Sequence, residues 1–295
     1  MVFELSKDKY SILSIDPRPL EEDLTKHYQN KYYQENQGNY SKNYTEIEMT
    51  NFENKAKLFE YLYKKYSNKK MRKILEPGFG EGFTLRYFDN IGVDTFGIDI
   101  SDEGYKFHNM QLESKSNLVI DNFEKDIFFK EKFNLVVLDH FLEHVFDLED
   151  TMRILKHYCD EDTLVIVLVP NDFNLLQEYY LLDQEINKLN SPWINQIEHL
   201  RYFSKSSLQF LFNSFGFEKV GNYLSDFPIE LNLIHAENDY YINLKNGKRA
   251  HFTRTVFENL LYENSVDKYA SLMEGFALNN IGRNLIGIFR IANID

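Results

Sequence analysis

Three glycines at alternate positions follow an acid at the end of an apolar segment. The residues are Ile74-Leu75-Glu76-Pro77-Gly78-Phe79-Gly80-Glu81-Gly82. Glycine has no Cβ, so the backbone can turn with positive φ and a ligand can approach the main chain closely. A glycine-rich turn between a strand and a helix is the usual place where an α/β sheet binds a nucleoside-containing cofactor. The segment therefore predicts a nucleoside cofactor at this turn.

A second acid stands where it could complete such a site. Asp99 ends the next apolar segment, 21 residues after Gly78, and is followed by Ile100 and Ser101. A carboxylate at the tip of a second strand can accept hydrogen bonds from both ribose hydroxyls of a nucleoside at the first turn. The less favoured interpretation of Asp99 is a surface acid at a strand end.

These residues need strands and helices that alternate along the chain to position them. The hydrophobic pattern predicts such an alternation. Short apolar segments predict strands at 72–76, 93–99, 117–121, 133–138, 163–169, 217–224 and 284–292. Helical spacing and end signals predict helices at 51–68, 82–90, 101–115, 147–158 and 204–215. Strands that alternate with helices form a mainly parallel sheet covered on both faces. The sequence therefore predicts a three-layer α/β fold.

The same pattern divides the chain into three parts. Residues 1–70 are predicted to form an N-terminal helical arm or cap, and residues 71–224 together with 284–295 form the α/β core. Residues 225–283 interrupt the alternation with a mixed helical signal. The interruption is too long for a simple loop, so we expect an inserted substrate cap there.

Composition and charge narrow the classes of function. The chain has 295 residues, a single cysteine (Cys159) and a formal net charge of −13 at pH 7. This charge repels phosphate backbones and the basic clusters are short, so no nucleic-acid partner is expected. No apolar run approaches the roughly 20 residues that span a bilayer, and the first residues lack an apolar signal core. A single cysteine suits the reducing cytoplasm, where we expect the protein to act.

The glycine motif distinguishes between cofactors. Nicotinamide and flavin sites prefer Gly-x-Gly-x-x-Gly with no acid before it, whereas this chain has Glu-x-Gly-x-Gly-x-Gly. That order resembles the first motif of the class I S-adenosylmethionine-dependent methyltransferases. The resemblance continues over about 70–224 and the last strand, and it departs from the family pattern at Pro77 and Asn134. Its further motifs are Gly97-Ile98-Asp99-Ile100-Ser101, Phe133-Asn134-Leu135-Val136-Val137 with Leu142-Glu143-His144-Val145, and Val167-Leu168-Val169-Pro170-Asn171.

The resemblance implies a Rossmann-like sheet whose last strand is antiparallel, with S-adenosylmethionine as the cofactor. In the family, the acid before the first glycine lies near the methionine end of the cofactor, and here that acid is Glu76. The cofactor contacts that the resemblance implies are Glu76, Gly78, Phe79, Gly80, Gly82, Asp99, Ile100, Asp121, Asn122, Phe123, Asp139 and Tyr33.

Two of these contacts have open alternatives. Adenine is expected beside Asp121-Asn122-Phe123, where Asn122, or else Asp121, would accept a hydrogen bond from the adenine amino group and Phe123 would pack on the ring. A polar loop without such a contact is an equal alternative. Tyr28, Tyr32 and Tyr33 would close over the methionine carboxylate or pack within a cap, and packing is slightly favoured.

Three histidines lie where the family places its methyl acceptor. His140 and His144 follow the fourth strand, and His199 follows the fifth. Methyl transfer is an in-line displacement that depends on alignment, and a hydroxyl acceptor also benefits from a base. Histidine has a suitable pKa for that role, and Asp139 could orient whichever histidine acts. The alternative for His144 is a structural role at a helix start.

The segment His140-Phe141-Leu142-Glu143-His144 also matches the H-x-x-E-H pattern of inverted zinc peptidases. Such ligands need to lie on one helix and need a third protein ligand. Here the segment begins at the end of a buried strand inside a nucleotide-binding frame. The sequence therefore predicts no zinc peptidase and no metal site, and a metal that helps to bind the acceptor has no support in it.

The acceptor is the least constrained part of the prediction. Glu198-His199-Leu200-Arg201-Tyr202-Phe203-Ser204, before a capped helix, resembles a branch that modifies sugars and other small polar molecules. This implies methylation of an oxygen, less favourably a nitrogen or carbon, of a nucleotide-linked sugar or another precursor of cell-surface polysaccharide such as capsule. The segment Leu138-Asp139-His140-Phe141 lacks the Asn/Asp-Pro-Pro-aromatic run that accompanies methylation of nucleobase amino groups.

Two alternatives and one hypothesis about assembly stay open. The first alternative is an NAD-dependent oxidoreductase on the same sheet, against which Glu76 and the glycine spacing count. The second is a catalytically inactive partner protein that binds S-adenosylmethionine. A homodimer is a further hypothesis that no particular residue supports.

Overall fold

A computed structural model describes residues 4–27, 44–107, 117–195, 197–228 and 244–292. Its strands are β1 (Glu4–Lys7), β2 (Leu13–Asp16), β3 (Lys73–Pro77), β4 (Asp94–Asp99), β5 (Asn117–Ile120), β6 (Leu135–Asp139), β7 (Leu164–Pro170), β8 (Arg201–Tyr202), β9 (Phe217–Lys219), β10 (Leu224–Ser225) and β11 (Asn284–Ile291). Its helices are α1 (Glu21–His27), α2 (Glu46–Tyr66), α3 (Phe83–Asn90), α4 (Glu103–Phe107), α5 (Leu148–Tyr158), α6 (Leu175–Asp183), a 3₁₀ helix (Lys188–Asn190), α7 (Lys205–Ser214), α8 (Leu244–Asn264) and α9 (Val266–Leu278).

The main sheet has the strand order β10-β11-β7-β6-β3-β4-β5, and β9 also pairs with β11. The strands from β7 to β5 pair in parallel, whereas β11 is antiparallel to β7. This confirms the predicted sheet, which is mostly parallel with an antiparallel last strand. β3 lies between β4 and β6, so the strand order reverses beside it. Ligands bind at such a switch point, outside the carboxyl ends of the strands.

Two hydrophobic cores cover the two faces of this sheet. Successive side chains of a strand point to opposite faces, and the fully buried Ile74 and Leu75 accordingly belong to different cores. The core around Leu75 includes residues of α5 and α7. The core around Ile74 includes residues of α2, α3 and α9. The helices on both faces complete the three layers that the alternation predicted.

Side-chain caps set where several helices begin. The Thr45 side chain and Glu48 form a capping box at the start of α2, and Asp147 accepts two backbone N–H groups at the start of α5. Ser204 and Ser207 form the corresponding box at α7, which confirms the start predicted at Ser204. A side-chain oxygen at the cap satisfies backbone donors that have no partner within the helix.

The N-terminal part and the end of the core differ from expectation. β1 and β2 form an antiparallel hairpin that joins β8 in a small second sheet, so the arm predicted to be helical also contains strands. The strand predicted at 217–224 is divided into β9 and β10 at Gly221, whose φ is 74°. Strands of two to four residues are too short to show a periodic pattern of apolar side chains.

The predicted insertion also contributes to the sheet core. Tyr269, Ala270 and Met273 of α9 are buried among the residues that cover the Ile74 face. The division into arm, core and inserted cap stays a prediction. Across the described ranges, no helix is long and apolar enough to cross a membrane.

Candidate active site

The glycine turn links β3 to α3 at the carboxyl edge of the sheet. Gly78, Gly80 and Gly82 have φ values of 68°, 53° and 76°, in the left-handed region that favours glycine. The Gly78 N–H donates to the Ile98 carbonyl oxygen at 2.7 Å, which joins the turn to β4. A Cβ on Gly78 would lie 2.7 Å from the Phe141 ring. The predicted turn is therefore formed, and it packs tightly against the segment that follows β6.

Asp99 lies beside this turn at the end of β4. Its carboxylate accepts a hydrogen bond from the Gly80 N–H at 2.8 Å and another from the Ser101 N–H at 3.0 Å. Burial raises the pKa of Asp99 to about 6, although the bonds from Gly80 and Ser101 act in the opposite direction. Ile100, the next residue, is half-buried. Asp99 thus stands next to the glycine turn, as the sequence predicted for a ribose-binding acid.

Glu76 and Asp139 end neighbouring strands and form an acidic pair. Burial, together with the negative charge of Asp139, holds the pKa of Glu76 well above its usual range. Lys55 of α2 makes an ion pair with Asp139. Within the described residues, Glu76 Oε2 and Asp139 Oδ1 are buried without a hydrogen-bond partner. Buried polar atoms are nearly always paired, so this edge of the sheet suits a ligand that brings positive charge or donors.

A second acid of the turn faces the start of α2. The Tyr44 hydroxyl lies within hydrogen-bond distance of both carboxylate oxygens of Glu81, at 2.8 and 2.9 Å. Burial raises the pKa of Glu81 to about 7, and the bond from Tyr44 and the charge of Lys55 only partly offset it. The Phe52 and Phe83 rings stack at 4.3 Å, and Tyr44 meets both edge-on. This aromatic group holds α2 over the turn.

The loop after β5 holds the residues predicted to contact adenine. Asp121 is exposed, and the Asn122 side-chain oxygen accepts the Glu124 N–H at 2.9 Å. Phe123 is only 2% exposed and packs against Phe141 and Tyr158, so most of its ring already belongs to the core. Phe79 is likewise buried, against Tyr105. These four contacts stay predictions, and Tyr28, Tyr32 and Tyr33 lie outside the described residues.

His140 begins the segment after β6 with a φ of 51°, which turns it away from the strand. Its Nδ1 lies 3.1 Å from Glu143 Oε1, and its side chain is 38% exposed. Burial alone would raise the pKa of Glu143, but the hydrogen bond from His140 and the charges of the neighbouring histidines lower it. Glu143 therefore orients His140, whereas Asp139, predicted for that role, pairs with Lys55 instead.

His144 and His199 lie deeper than His140 and are also close to Glu143. Their ring centroids are 4.9 Å apart, and His144 Nδ1 lies 2.9 Å from the Glu198 carbonyl oxygen. Burial lowers the pKa of His199 to about 3, and the charge of His144 adds to the effect. An efficient general base has a pKa near the working pH. The buried environment thus argues against His199 as the base.

Four side chains at this edge were not predicted in their roles. Lys55 belongs to α2 and Tyr44 lies just before that helix. Nothing in the sequence distinguishes these two residues from other surface residues. Glu81 lies inside the glycine motif, at a position where the motif has no preference. Glu143 lies inside the recognised segment after β6, so its carboxylate next to two histidines was a usable signal.

The residues present fit a positively charged nucleoside cofactor. The glycine turn allows close approach, Asp99 can bind ribose hydroxyls, and the buried acids Glu76 and Asp139 can stabilise a cation. Sulfonium and ammonium groups of S-adenosylmethionine carry such charge. Glu76 Oε2 and Asp139 Oδ1, which have no partner among the described residues, would face it.

Comparisons with known proteins agree with this fit. The family model described as a methyltransferase domain matches residues 47–221, more than half of the chain. No curated protein matches the sequence. One similar solved structure is an S-adenosylmethionine-dependent methyltransferase from Clostridium acetobutylicum, with 10% identity, a TM-score of 0.50 and coverage of 82% of this chain and 92% of that chain.

A second similar structure is a chain from the complex between the Haloferax volcanii Trm112 methyltransferase activator and its methyltransferase. It has 12% identity, a TM-score of 0.51 and coverage of 84% of this chain and 95% of that chain. At such low identity, both structures support the fold alone. The family match confirms the predicted cofactor and is at variance with the nicotinamide alternative. The chain therefore belongs to the methyltransferase-domain family and is an S-adenosylmethionine-dependent methyltransferase of class I.

Proposed function

We propose that this methyltransferase acts on an oxygen atom of a small polar acceptor, and that the acceptor is a nucleotide-linked sugar or another precursor of cell-surface polysaccharide. The observation that carries the proposal is the position of His140. It directly follows Asp139 at the carboxyl end of β6, and the next residue, Phe141, packs on Gly78 of the cofactor turn. A partly exposed imidazole thus stands beside the cofactor site.

The Glu143 carboxylate prepares His140 to accept a proton. A carboxylate only accepts hydrogen bonds, so the 3.1 Å contact places the proton of a neutral His140 on Nδ1. The lone pair is then on Nε2. S-adenosylmethionine supplies an electrophilic methyl group bound to sulfur. As the acceptor oxygen bonds to that carbon, the carbon–sulfur bond breaks, its electron pair stays on sulfur, and His140 Nε2 takes the hydroxyl proton.

This arrangement favours oxygen over nitrogen or carbon. A neutral amine already has a nucleophilic lone pair, whereas a hydroxyl gains most from a base that removes its proton during the reaction. An oriented carboxylate–histidine pair supplies such a base. Base catalysis of this kind contributes about 10²- to 10⁴-fold to the rate.

A polar acceptor is further supported by the polar side chains around Glu198, whose carbonyl oxygen lies 2.9 Å from His144 Nδ1. Glu198 accepts a hydrogen bond from Asn195 at 2.7 Å and lies 2.8 Å from His27 Nε2. Glu198 begins the segment whose sequence resembles sugar-modifying members, Asn195 precedes that segment, and His27 ends α1. Polar groups held in place by one another can orient hydroxyl-rich ligands with little further ordering. Activity in the cytoplasm and assembly as a homodimer stay predictions.

The test is turnover with a panel of nucleotide sugars, with the methylated atom identified by mass spectrometry and NMR. We expect an O-methyl product. His140→Ala should lower turnover by about 10²- to 10⁴-fold and leave the affinity for S-adenosylhomocysteine unchanged. His157→Ala is the matched control, because His157 is an exposed histidine at the end of α5, where the neighbouring Tyr158 bonds to Phe133 before the start of β6 rather than at its carboxyl end.

Two results would contradict the proposal. One is a methyl group on nitrogen or carbon, and the other is full turnover by His140→Ala. Binding of S-adenosylhomocysteine without any turnover across the panel would mean either that the acceptor lies outside the panel or that the chain is the inactive partner protein. The binding measurement therefore separates a wrong acceptor from a wrong cofactor.

A further inference from the structure

Three side chains beside His140 form a compact group of potential metal ligands. Glu143, His144 and His199 each offer one ligand atom, and these atoms all lie within 4.8 Å of one another. Glu143 and His144 come from the segment after β6, whereas His199 lies just before β8, separated from it by Leu200. The two segments are joined by the hydrogen bond from the Leu200 N–H to the Glu143 carbonyl oxygen, at 2.9 Å.

Protein contacts leave part of this group unsatisfied. Glu143 is fully buried and its Oε1 is bonded to His140. In the part of the chain that the structure describes, Glu143 Oε2 and His199 Nδ1 are buried and have no hydrogen-bond partner. A buried carboxylate oxygen without a partner is costly, so a purely structural role does not account for the arrangement. A cation between the three side chains would satisfy it.

The orientation of His144 is the one that a metal ligand needs. Its Nδ1 lies 2.9 Å from the Glu198 carbonyl oxygen, so the ring donates from Nδ1. Its Nε2 is turned toward Glu143 and lies 3.9 Å from Oε1. Histidines that bind metals typically donate their other ring N–H to a carbonyl or carboxylate oxygen, which fixes the tautomer. Glu198 supplies that contact here.

We propose that Glu143, His144 and His199 bind one divalent transition-metal ion. Two imidazoles and one carboxylate suit Zn²⁺, Co²⁺ or Fe²⁺, and three protein ligands leave further positions open for an oxygen ligand. These ligands differ from those of the H-x-x-E-H sequence pattern, in which His140 and His144 would bind the metal from one helix. His140 instead bonds to Glu143 from the strand end, and the third ligand comes from the distant His199.

A catalytic role for the metal ion rests on the proposed function, whereas the binding of the ion does not depend on it. A divalent ion beside His140 would bind the acceptor oxygen and lower the pKa of its hydroxyl. The hydroxyl proton would still pass to His140 Nε2, so no further reactant is needed. Metal and base would then act on the same oxygen, which deepens the preference for a hydroxyl acceptor.

Metal binding is tested on the full chain after treatment with a chelator. The protein is titrated with Co²⁺ while its visible absorption is recorded, and Zn²⁺ is then added as a competitor. We expect one equivalent of bound Co²⁺ that Zn²⁺ displaces. Glu143→Gln and His199→Ala should each weaken Co²⁺ binding at least about tenfold. His157→Ala, which removes an exposed histidine, should leave it unchanged.

Absence of saturable Co²⁺ binding by the wild-type chain would overturn the proposal. Equal Co²⁺ affinity of the wild type and both ligand variants would overturn it too, as would a loss caused by His157→Ala. Circular dichroism and S-adenosylhomocysteine binding establish that each variant is folded, and His199→Gln replaces His199→Ala if that variant unfolds. Because cofactor binding is measured separately from Co²⁺ binding, failure of this inference is distinguishable from failure of the proposed function.

Discussion

Replacement of Asp99 tests the cofactor site most directly. In the structure its carboxylate accepts two backbone N–H groups, from Gly80 at 2.8 Å and from Ser101 at 3.0 Å. A carboxylate has about four acceptor positions, so positions remain for the two ribose hydroxyls. Asp99→Ala removes the ribose contacts and also the bond that ties the glycine turn to the end of β4.

The size of the effect follows from the hydrogen bonds lost. A hydrogen bond to a charged group contributes about 1.5–3 kcal/mol, and about 1.4 kcal/mol corresponds to a tenfold change in affinity. Loss of one ribose bond therefore weakens S-adenosylhomocysteine binding by about tenfold to hundredfold. Loss of the second ribose bond and release of Gly80 act in the same direction.

The pKa of Asp99 adds a pH dependence to the same experiment. Burial raises this pKa to about 6 in the ligand-free chain, so the carboxyl is ionised above pH 6 and protonated below it. If the ionised form binds ribose, about one tenth of the molecules are competent at pH 5 and the affinity is about tenfold weaker than at pH 8. Asp99→Asn removes the titrating group, so that share of the pH dependence should vanish.

Calorimetric titration with S-adenosylhomocysteine at pH 5 and pH 8 measures both effects. Glu161→Ala is the control, since Glu161 is an exposed acid before the amino end of β7 and away from Asp99, whose pKa is influenced by the nearer Asp102. We expect it to bind like the wild type. Unchanged affinity of Asp99→Ala would refute the assignment of Asp99 to ribose. An identical pH dependence in Asp99→Asn would refute the role of its ionisation.

Two further predictions concern the glycine turn. Gly78→Ala should lower the free energy of unfolding by about 1–3 kcal/mol more than Gly92→Ala does. Both residues have positive φ, but a Cβ on Gly78 would lie 2.7 Å from the Phe141 ring, whereas a Cβ on Gly92 would meet nothing within 4 Å. If urea unfolding gave the same loss of unfolding free energy for both variants, the contact with Phe141 would not destabilise Gly78→Ala, and the prediction would be wrong. Glu81→Gln tests the pKa of Glu81, which is raised from 4.5 to about 7 in the folded chain. A carboxyl group with a raised folded-state pKa contributes stability that is fully present below pH 4.5 and is lost as the pH rises through 7. The variant should therefore gain about 3 kcal/mol relative to the wild type between pH 4.5 and pH 8, and a constant difference across that range would contradict the buried environment of Glu81.

Much of the fold could be predicted because its signals are local. The apolar segments that became β3, β4, β6 and β7 were each placed to within two residues, since strands buried on both faces are continuously hydrophobic. The helix from Ser204 was placed by its cap. The hairpin of β1 and β2 was missed, because each strand has only four residues, too few to show a periodic pattern.

The candidate site divides in the same way. The amino-acid sequence by itself determined the glycine turn and the position of Asp99. A left-handed backbone favours glycine, and the end of a strand is marked by neighbouring residues in the sequence. The sequence also named His140, His144 and His199 as candidates, and the structure places all three close to Glu143. Those features led from the residues to the family and to the cofactor.

Only the tertiary structure decided which side chains act together. The partner of Asp139 is Lys55, from a helix that precedes the sheet, and the partner of His140 is Glu143 rather than Asp139. The group of Glu143, His144 and His199 exists only because β6 and the segment before β8 end at one edge of the fold. Contacts between residues distant in sequence depend on how packed elements meet, and no local pattern of residue types records that geometry.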